Sequence, residues 1–306
     1  MLRDLCNVKK GPTQMMIRDW LVAVLAWTLL TSAAAGQGLD TSKIDGQLGR
    51  SGQKTGDVYK VGFPRTDLRV SVHGLAVKPG LALGSWAAFI GTDENSMIMG
   101  DLVLLENEIT PVLDKLHSAG FEITAIHNHL AEETPHVMYL HYMGHGNAAQ
   151  LAGSLREALS VSKTPLEKPV PAEEPANAPA WVDAVQKTME RKGTFKGGVL
   201  AYGVPRTDKV SMSGITIPPA AGVAEAINFQ AADGGNVATT GDFVLTAAEV
   251  NPVIAELRGH GIAVTALHSH MLTEEPRLFF MHFWAVGSPE SVGAGMKAAL
   301  DKVHTK

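Results

Sequence analysis

The sequence predicts an α+β fold in two tandem copies. Each copy is a mainly antiparallel sheet with helices packed on one face, in the order β-β-β-β-α-β-β-α. Three observations lead there. The chain repeats itself: "GFPRTD" (62–67) returns as "GVPRTD" (203–208), and "GDLVLLENEITPVLDKLHSAGFEITAIHNHL" (100–130) as "GDFVLTAAEVNPVIAELRGHGIAVTALHSHM" (241–271). Each copy sets several short β-rich runs beside two amphipathic stretches. With 45% hydrophobic and 19% charged residues, the chain has the composition of a folded globular protein.

The repeat pairs Ile44 with Val185 and Gly146 with Gly287, and slips by one residue around Gly74 and Gly214. A short leading helix is expected in "IDGQLGR" (44–50) and "WVDAVQKTMER" (181–191). Strands follow in "VYKVGF" (58–63), "VSVHGLAV" (70–77), "SWAAFI" (85–90) and "DLVLL" (101–105), with counterparts in "GVLAYGV", "VSMSGITI", "AINFQA" and "DFVLT". Gly100-Asp101 and Gly241-Asp242 read as turns or bulges, with Asp101 the less favoured choice as an extra ligand or base. In "EITPVLDKLHSAG" (108–120), Val112, Leu113 and Leu116 form one helical stripe, and Gly120 marks the stop; Val253, Ile254, Leu257 and Gly261 repeat this. Pro111 and Pro252 belong near the first turn, because an interior proline costs about 3 kcal/mol. Glu108 and Glu249 read as helix-start acids that complement the dipole. Strands "FEITAIHNHL" (121–130) and "HVMYLHYMG" (136–144), then a last helix (147–160 and 289–303), close each copy.

Residues 1–35 read as a signal peptide. Arg18 precedes the apolar "WLVAVLAWTLL" (20–30), and "TSAAAGQG" (31–38) offers small residues for cleavage near Ala35. The apolar run is shorter than the roughly twenty residues a membrane span needs. The domains are then 40–160 and 181–304, joined by a Pro-rich linker over 161–180 that reads as an extended tether. The single cysteine, Cys6, precedes the apolar run, so a cleaved chain has no disulfide and no thiolate ligand. The full sequence's net charge of −5, without a basic stripe, argues against nucleic acid and anionic lipid as partners. A periplasmic or secreted location is expected, with no membrane span once the signal is removed.

The chemistry concentrates in "IHNHLAEETPHVMYLH" (126–141) and "LHSHMLTEEPRLFFMH" (267–282). His127 and His129 share one face of a strand, with Cα atoms roughly 7 Å apart, and can converge on one ion. Glu133 can add an oxygen, and His141 returns on the next strand. His268, His270, Glu274 and His282 repeat the set, so one site per copy is expected. Imidazoles with a carboxylate suit divalent transition metals, namely Zn, Fe, Mn or Cu. A four-residue hairpin loop would put His141 opposite Thr124, on the wrong face; a loop one residue longer or shorter reunites the three histidines. The competing reading makes all of them structural histidines at a core edge.

Pro64-Arg65-Thr66-Asp67 and its copy read as strand ends with a local Arg–Asp pair, the alternative being an anion site. Trp86 reads as a core aromatic, or else a ligand platform unique to one copy.

The HxHxxxE spacing resembles in part the first metal motif of cupins, although Gly120 sits one residue too far away and a helix intrudes. A resemblance over nearly the whole cleaved chain is to the LppY/LpqO family of exported bacterial proteins, carried by "VYKVGFPRTDL", "ALGSWAAF", "MGDLVL", "AIHNHL" and "EEPRLFFMHFWAVG". It implies export and a tandem domain, and no particular reaction. The reading is therefore an exported two-domain protein that binds a transition metal. It is either an enzyme with Glu133 or Glu274 as ligand or base, or a non-catalytic metal-binding or metal-buffering protein using the same residues; the third reading is an envelope binding module whose histidines are structural. A small-molecule or envelope ligand is the further partner expected.

Overall fold

The computed structural model describes residues 38–168 and 177–305. The segment read as a signal peptide and the middle of the linker lie outside the described residues. The first lobe runs α1 (Thr41–Leu48), β1 (Gln53–Thr55), β2 (Val58–Pro64), β3 (Ser71–Val72), β4 (Leu75–Ala76), α2 (Pro79–Ala82), β5 (Gly84–Gly91), β6 (Ser96–Leu105), α3 (Glu106–Ser118), β7 (Glu122–His127), β8 (Glu133–Thr134), β9 (Val137–Gly146) and α4 (Ala148–Leu159). The second repeats it with α5 (Ala180–Met189), β10 (Thr194–Lys196), β11 (Val199–Pro205), β12 (Ser211–Met212), β13 (Ile215–Thr216), β14 (Ala224–Ala231), β15 (Val237–Leu245), α6 (Ala247–Gly259), β16 (Ala263–His268), β17 (Glu274–Glu275), β18 (Phe279–Gly287) and α7 (Pro289–Leu300). A 3-10 turn at Pro219–Ala221 stands in for α2.

Each lobe is α+β, with a six-stranded antiparallel sheet in the order β1-β2-β5-β6-β9-β7, or β10-β11-β14-β15-β18-β16. Alternation along the strands sorts the side chains into two faces. Tyr59, Val61, Phe63, Phe89, Ile98, Leu102 and Leu140 point outward, where Ile44, Leu48, Val112, Leu116 and Leu155 of the helices cover them. The inner faces form two cores with residues of both lobes. Val58, Ile90, Met97 and Met143 pack with Met212, Ile217, Met271 and Phe280. Reciprocally, Val72, Leu81, Leu83 and Leu130 pack with Val199, Ala238 and Trp284. The lobes therefore meet as about a two-fold axis, each one's short strands covering part of the other's sheet.

Several elements differ from expectation. Residues 70–77 form a hairpin, β3–β4, which joins β8 in a separate three-stranded sheet. The turn places His73 at φ 49° and Gly74 at φ 84°, so a continuous strand is interrupted there. Gly100-Asp101 and Gly241-Asp242 are not turns or bulges: they lie inside β6 and β15. A Cβ at Gly100 would collide with the Trp86 carbonyl and the Tyr142 hydroxyl, so glycine is what permits these strands to approach. Pro111 and Pro252 sit beyond the first turn, because the helices begin at Glu106 and Ala247. The first lobe also continues into the expected linker. Lys163 N–H donates to Glu108 at 2.8 Å, just as His304 N–H donates to Glu249 at 2.8 Å in the second lobe.

Gly100→Ala is expected to destabilise the protein by about 1–3 kcal/mol, as overpacking does. Gly62→Ala, which has open space at its Cβ, should cost clearly less in urea-unfolding measurements.

Candidate metal centre

One row of cross-strand pairs builds the heart of each inner face. In the first lobe it reads Gly62, Trp86, Asp101, His141, Ala125 across five strands. In the second it reads Gly203, Ala226, Asp242, His282, Ala266. The register shifts between Ile123 and Ala125, and again between Val264 and Ala266. This bulge at Thr124 sets His141 opposite Ala125 rather than Thr124, and so on the face of His127. The strand ends at His127, and His129 lies on the bend that follows.

Because the inner faces oppose each other, the six repeated histidines meet in one cluster. His127 stacks on its own counterpart His268, with ring centroids 3.5 Å apart. His129 stacks on His282 at 3.6 Å, and His141 on His270 at 3.7 Å. The two histidine sets, expected as one site per copy, thus lie together in one cluster. Among the described residues, His127, His129, His270 and His282 can offer ligand atoms all within 4.8 Å of one another, and so can Asp101, His129 and His141. Asp101 lies 4.0 Å from His129 and 3.7 Å from His141; Asp242 lies 3.9 Å from both His270 and His282.

Neither group includes Glu133 or Glu274. Glu133 pairs through its backbone with Val72, while its carboxylate meets His136 at 2.6 Å and accepts from Val137 N–H at 3.3 Å. Glu274 accepts from Leu278 N–H at 2.9 Å and pairs with Arg277 at 3.3 Å. Both glutamates tie down the turn that carries the histidines. Arg65 is fully buried between Asp67 at 2.9 Å and Glu108 at 2.7 Å, and Arg206 repeats this with Asp208 and Glu249. These arginines anchor the helix starts, where Glu108 also accepts from Leu105 N–H at 2.9 Å.

The donor chemistry fits a cation. Each of the six imidazoles leaves Nε2 without a hydrogen-bond partner among the protein atoms, and Asp101 and Asp242 each leave Oδ1 so. A buried unsatisfied polar group costs about 1–3 kcal/mol. Together they would rival the roughly 5–15 kcal/mol of net stability typical of a folded protein. His282 Nδ1 donates to the Gly241 carbonyl at 2.8 Å, and His127 Nδ1 to the Asn128 carbonyl at 3.2 Å, which leaves the Nε2 lone pairs free. Burial holds His127 down at about 4 and His268 at about 3, and the other four imidazoles well below their ordinary value. They are neutral at pH 7. Burial also pushes Asp101 up to about 8, against the pull of Lys60, and Asp242 well above its usual range. A divalent ion would reverse that carboxyl shift.

The family model described as Domain of Unknown Function (DUF1259) matches residues 42–161 and 183–302. No curated protein matches the chain. Among solved structures, the trimeric bacterial microcompartment shell protein PduB aligns at 11% identity, covering 83% of this chain and 89% of that one, with a TM-score of 0.21. EtuB from Clostridium kluyveri aligns at 10% identity, covering 82% and 90%, with a TM-score of 0.19. Likenesses that low carry nothing about fold or function. Among the described residues, no helix is long and apolar enough to cross a membrane.

Metal-free protein should lose stability as pH falls from about 6.5 toward about 4. Folded pKa values lie below the unfolded value, so the unfolded chain takes up protons that the folded cluster refuses. Above about pH 6.5 both states are neutral and the effect vanishes. The slope should be about 1.4 kcal/mol per pH unit for each such histidine. Urea unfolding in chelator between pH 7.5 and 4.5 checks this against a His127→Gln/His268→Gln variant, whose slope should be shallower. Equal slopes would contradict a neutral buried cluster.

Proposed function

The chain belongs to the domain family of unknown function DUF1259, carried in two tandem copies, and on that footing we propose that it binds a divalent transition metal, as a metal-dependent enzyme exported to the periplasm or beyond. One observation carries the reading: the six buried or half-buried imidazoles, all with Nε2 unpartnered, that both lobes direct into one cluster. The imidazoles and the two aspartates suit Zn, Fe, Mn or Cu rather than Ca or Mg. Export rests on the leader-like composition of residues 1–35, and it accords with the LppY/LpqO resemblance.

Enzyme is favoured over metal buffer because the centre is not sealed. A cavity of about 420 Å³ is lined by Asp101, His129 and Asp242, and a second of about 260 Å³ by Asp101, His141, Asp242 and His270. Sites of this size take small molecules. A bound ion of this class polarises a carbonyl or lowers the pKa of a water. The protein's own part is to hold neutral imidazoles in place and to present Asp101 and Asp242 as ligands or proton acceptors. The envelope binding module with structural histidines remains the second reading, and it requires the fold to be indifferent to metal.

Elemental analysis of untagged protein is expected to give one or two equivalents of a transition metal, the range that two overlapping ligand groups allow. Because both groups contain His129, His127→Ala/His129→Ala should lose more than half of that metal, whereas His268→Ala/His270→Ala, which disturbs only the group spanning both lobes, should lose less. A folded, metal-free protein whose thermal midpoint does not move in chelator would overturn the proposal.

A further inference from the structure

The two lobes repeat each other at the histidines and aspartates, but not beside them. Lys60 pairs with Ala88, and in the second lobe Ala201 pairs with Asn228 at the same register. Trp86 pairs with Asp101 where Ala226 pairs with Asp242. The first lobe therefore carries a lysine and a tryptophan where the second carries two alanines. The Lys60 ammonium lies over the Trp86 ring, 3.7 Å from its centroid. Among the described residues it makes no ion pair or hydrogen bond. Trp86 extends across to the second lobe, where the far end of its ring rests against Gly222.

The two cavities of about 420 and 260 Å³ are both lined by Lys60 and Trp86, and Lys60 is the sole Lys or Arg in either lining. The opposite wall is made of small residues, including Ala226 and Gly241 at the larger cavity and Gly222 and Ala224 at the smaller. An ammonium held on an aromatic face beside an open cavity, with Asp101 near enough to attract it but not within ion-pairing distance, can receive an anion. The rest of the lining limits which anion. Asp101 and Asp242 border both cavities and Glu225 borders the smaller, so a phosphate dianion would set two negative charges beside acidic groups with one lysine in compensation. A monoanion fits better, and the indole face offers a surface for a planar or apolar body.

We infer that the cleft between the lobes binds one small organic monocarboxylate, its carboxylate held by Lys60 and its body lying along Trp86 next to the histidine–aspartate centre. This names a substrate class for that centre and rests on the metal reading for its chemical purpose. The second lobe, with Ala201 and Ala226, contributes wall rather than an equivalent recognition group.

The test uses metal-replete full-length protein with benzoate and, as an uncharged probe of the same shape, benzamide. Calorimetry should show benzoate binding, with benzamide at least tenfold weaker. Lys60→Met removes the charge while keeping an unbranched side chain, and should weaken benzoate at least tenfold without changing metal content. Trp86→Leu should weaken benzoate and benzamide alike. Failure of benzoate to bind, equal affinity for both probes, or an unchanged benzoate affinity in Lys60→Met would overturn the inference. Metal content, measured on the same samples, separates the two proposals. Lys60-dependent binding in a protein that takes up no metal would leave the carboxylate site standing and remove the metal centre.

Discussion

Everything at the middle of this molecule follows from burying imidazole between two sheets. An antiparallel sheet with helices on one face has a second face to cover, and here the second copy covers it. At the edges of that contact, methionines, valines and leucines bury apolar area. At its centre the same geometry forces six histidines and two aspartates together, out of water and with few protein partners. Packing alone cannot satisfy such a centre. The surrounding elements are fixed firmly enough to hold it in place. Arg65 and Arg206 pin the starts of the helices to the ends of β6 and β15, and Glu133 and Glu274 brace the loops that bear His129 and His270.

How far the lobes depend on each other is visible in the polar contacts as well as the apolar ones. Thr265 Oγ1 donates to the His129 carbonyl at 2.5 Å, Asn228 Nδ2 donates to the Leu81 carbonyl at 3.0 Å, and Gln230 Nε2 to the Ala76 carbonyl at 2.7 Å. Each ties a segment of the first lobe to a strand of the second. The centre's geometry is therefore a property of the contact between lobes, and neither lobe contains all of it.

The repeat, the α+β class, the helix stripes at Val112 and Val253 and the concentration of chemistry in two histidine-rich segments could be read from the residues alone. Three things could not. The face of His141 depends on a bulge at Thr124, and nothing local in "FEITAIHNHL" announces an extra residue there. Asp101 and Asp242 follow a glycine, and Gly-Asp reads as a turn. The available signal was its setting, since "SMIMGDLVLL" and "VATTGDFVL" are apolar or small on both sides, as a buried strand is. The meeting of the two histidine sets is long-range packing, which periodicity within one copy does not encode. Glu133 illustrates the reverse. Its spacing from His129 suits a ligand, but it lies in a two-residue strand, where one of its carboxylate oxygens is used by the turn that holds it.

The covalent join between the lobes has a consequence for how such a site can change. In a homodimer of identical chains every residue near the axis appears twice. A lysine at position 60 would then bring a second one from the facing subunit, and the cleft would hold two ammonium groups with nothing bound to separate them. Tandem fusion removes that restriction. One strand can carry Lys60 while its mate keeps Ala201, and one sheet can carry Trp86 while the other keeps Ala226 and leaves the space open. The cleft thereby acquires a direction: a molecule entering it meets two different ends, which two interchangeable halves can never offer.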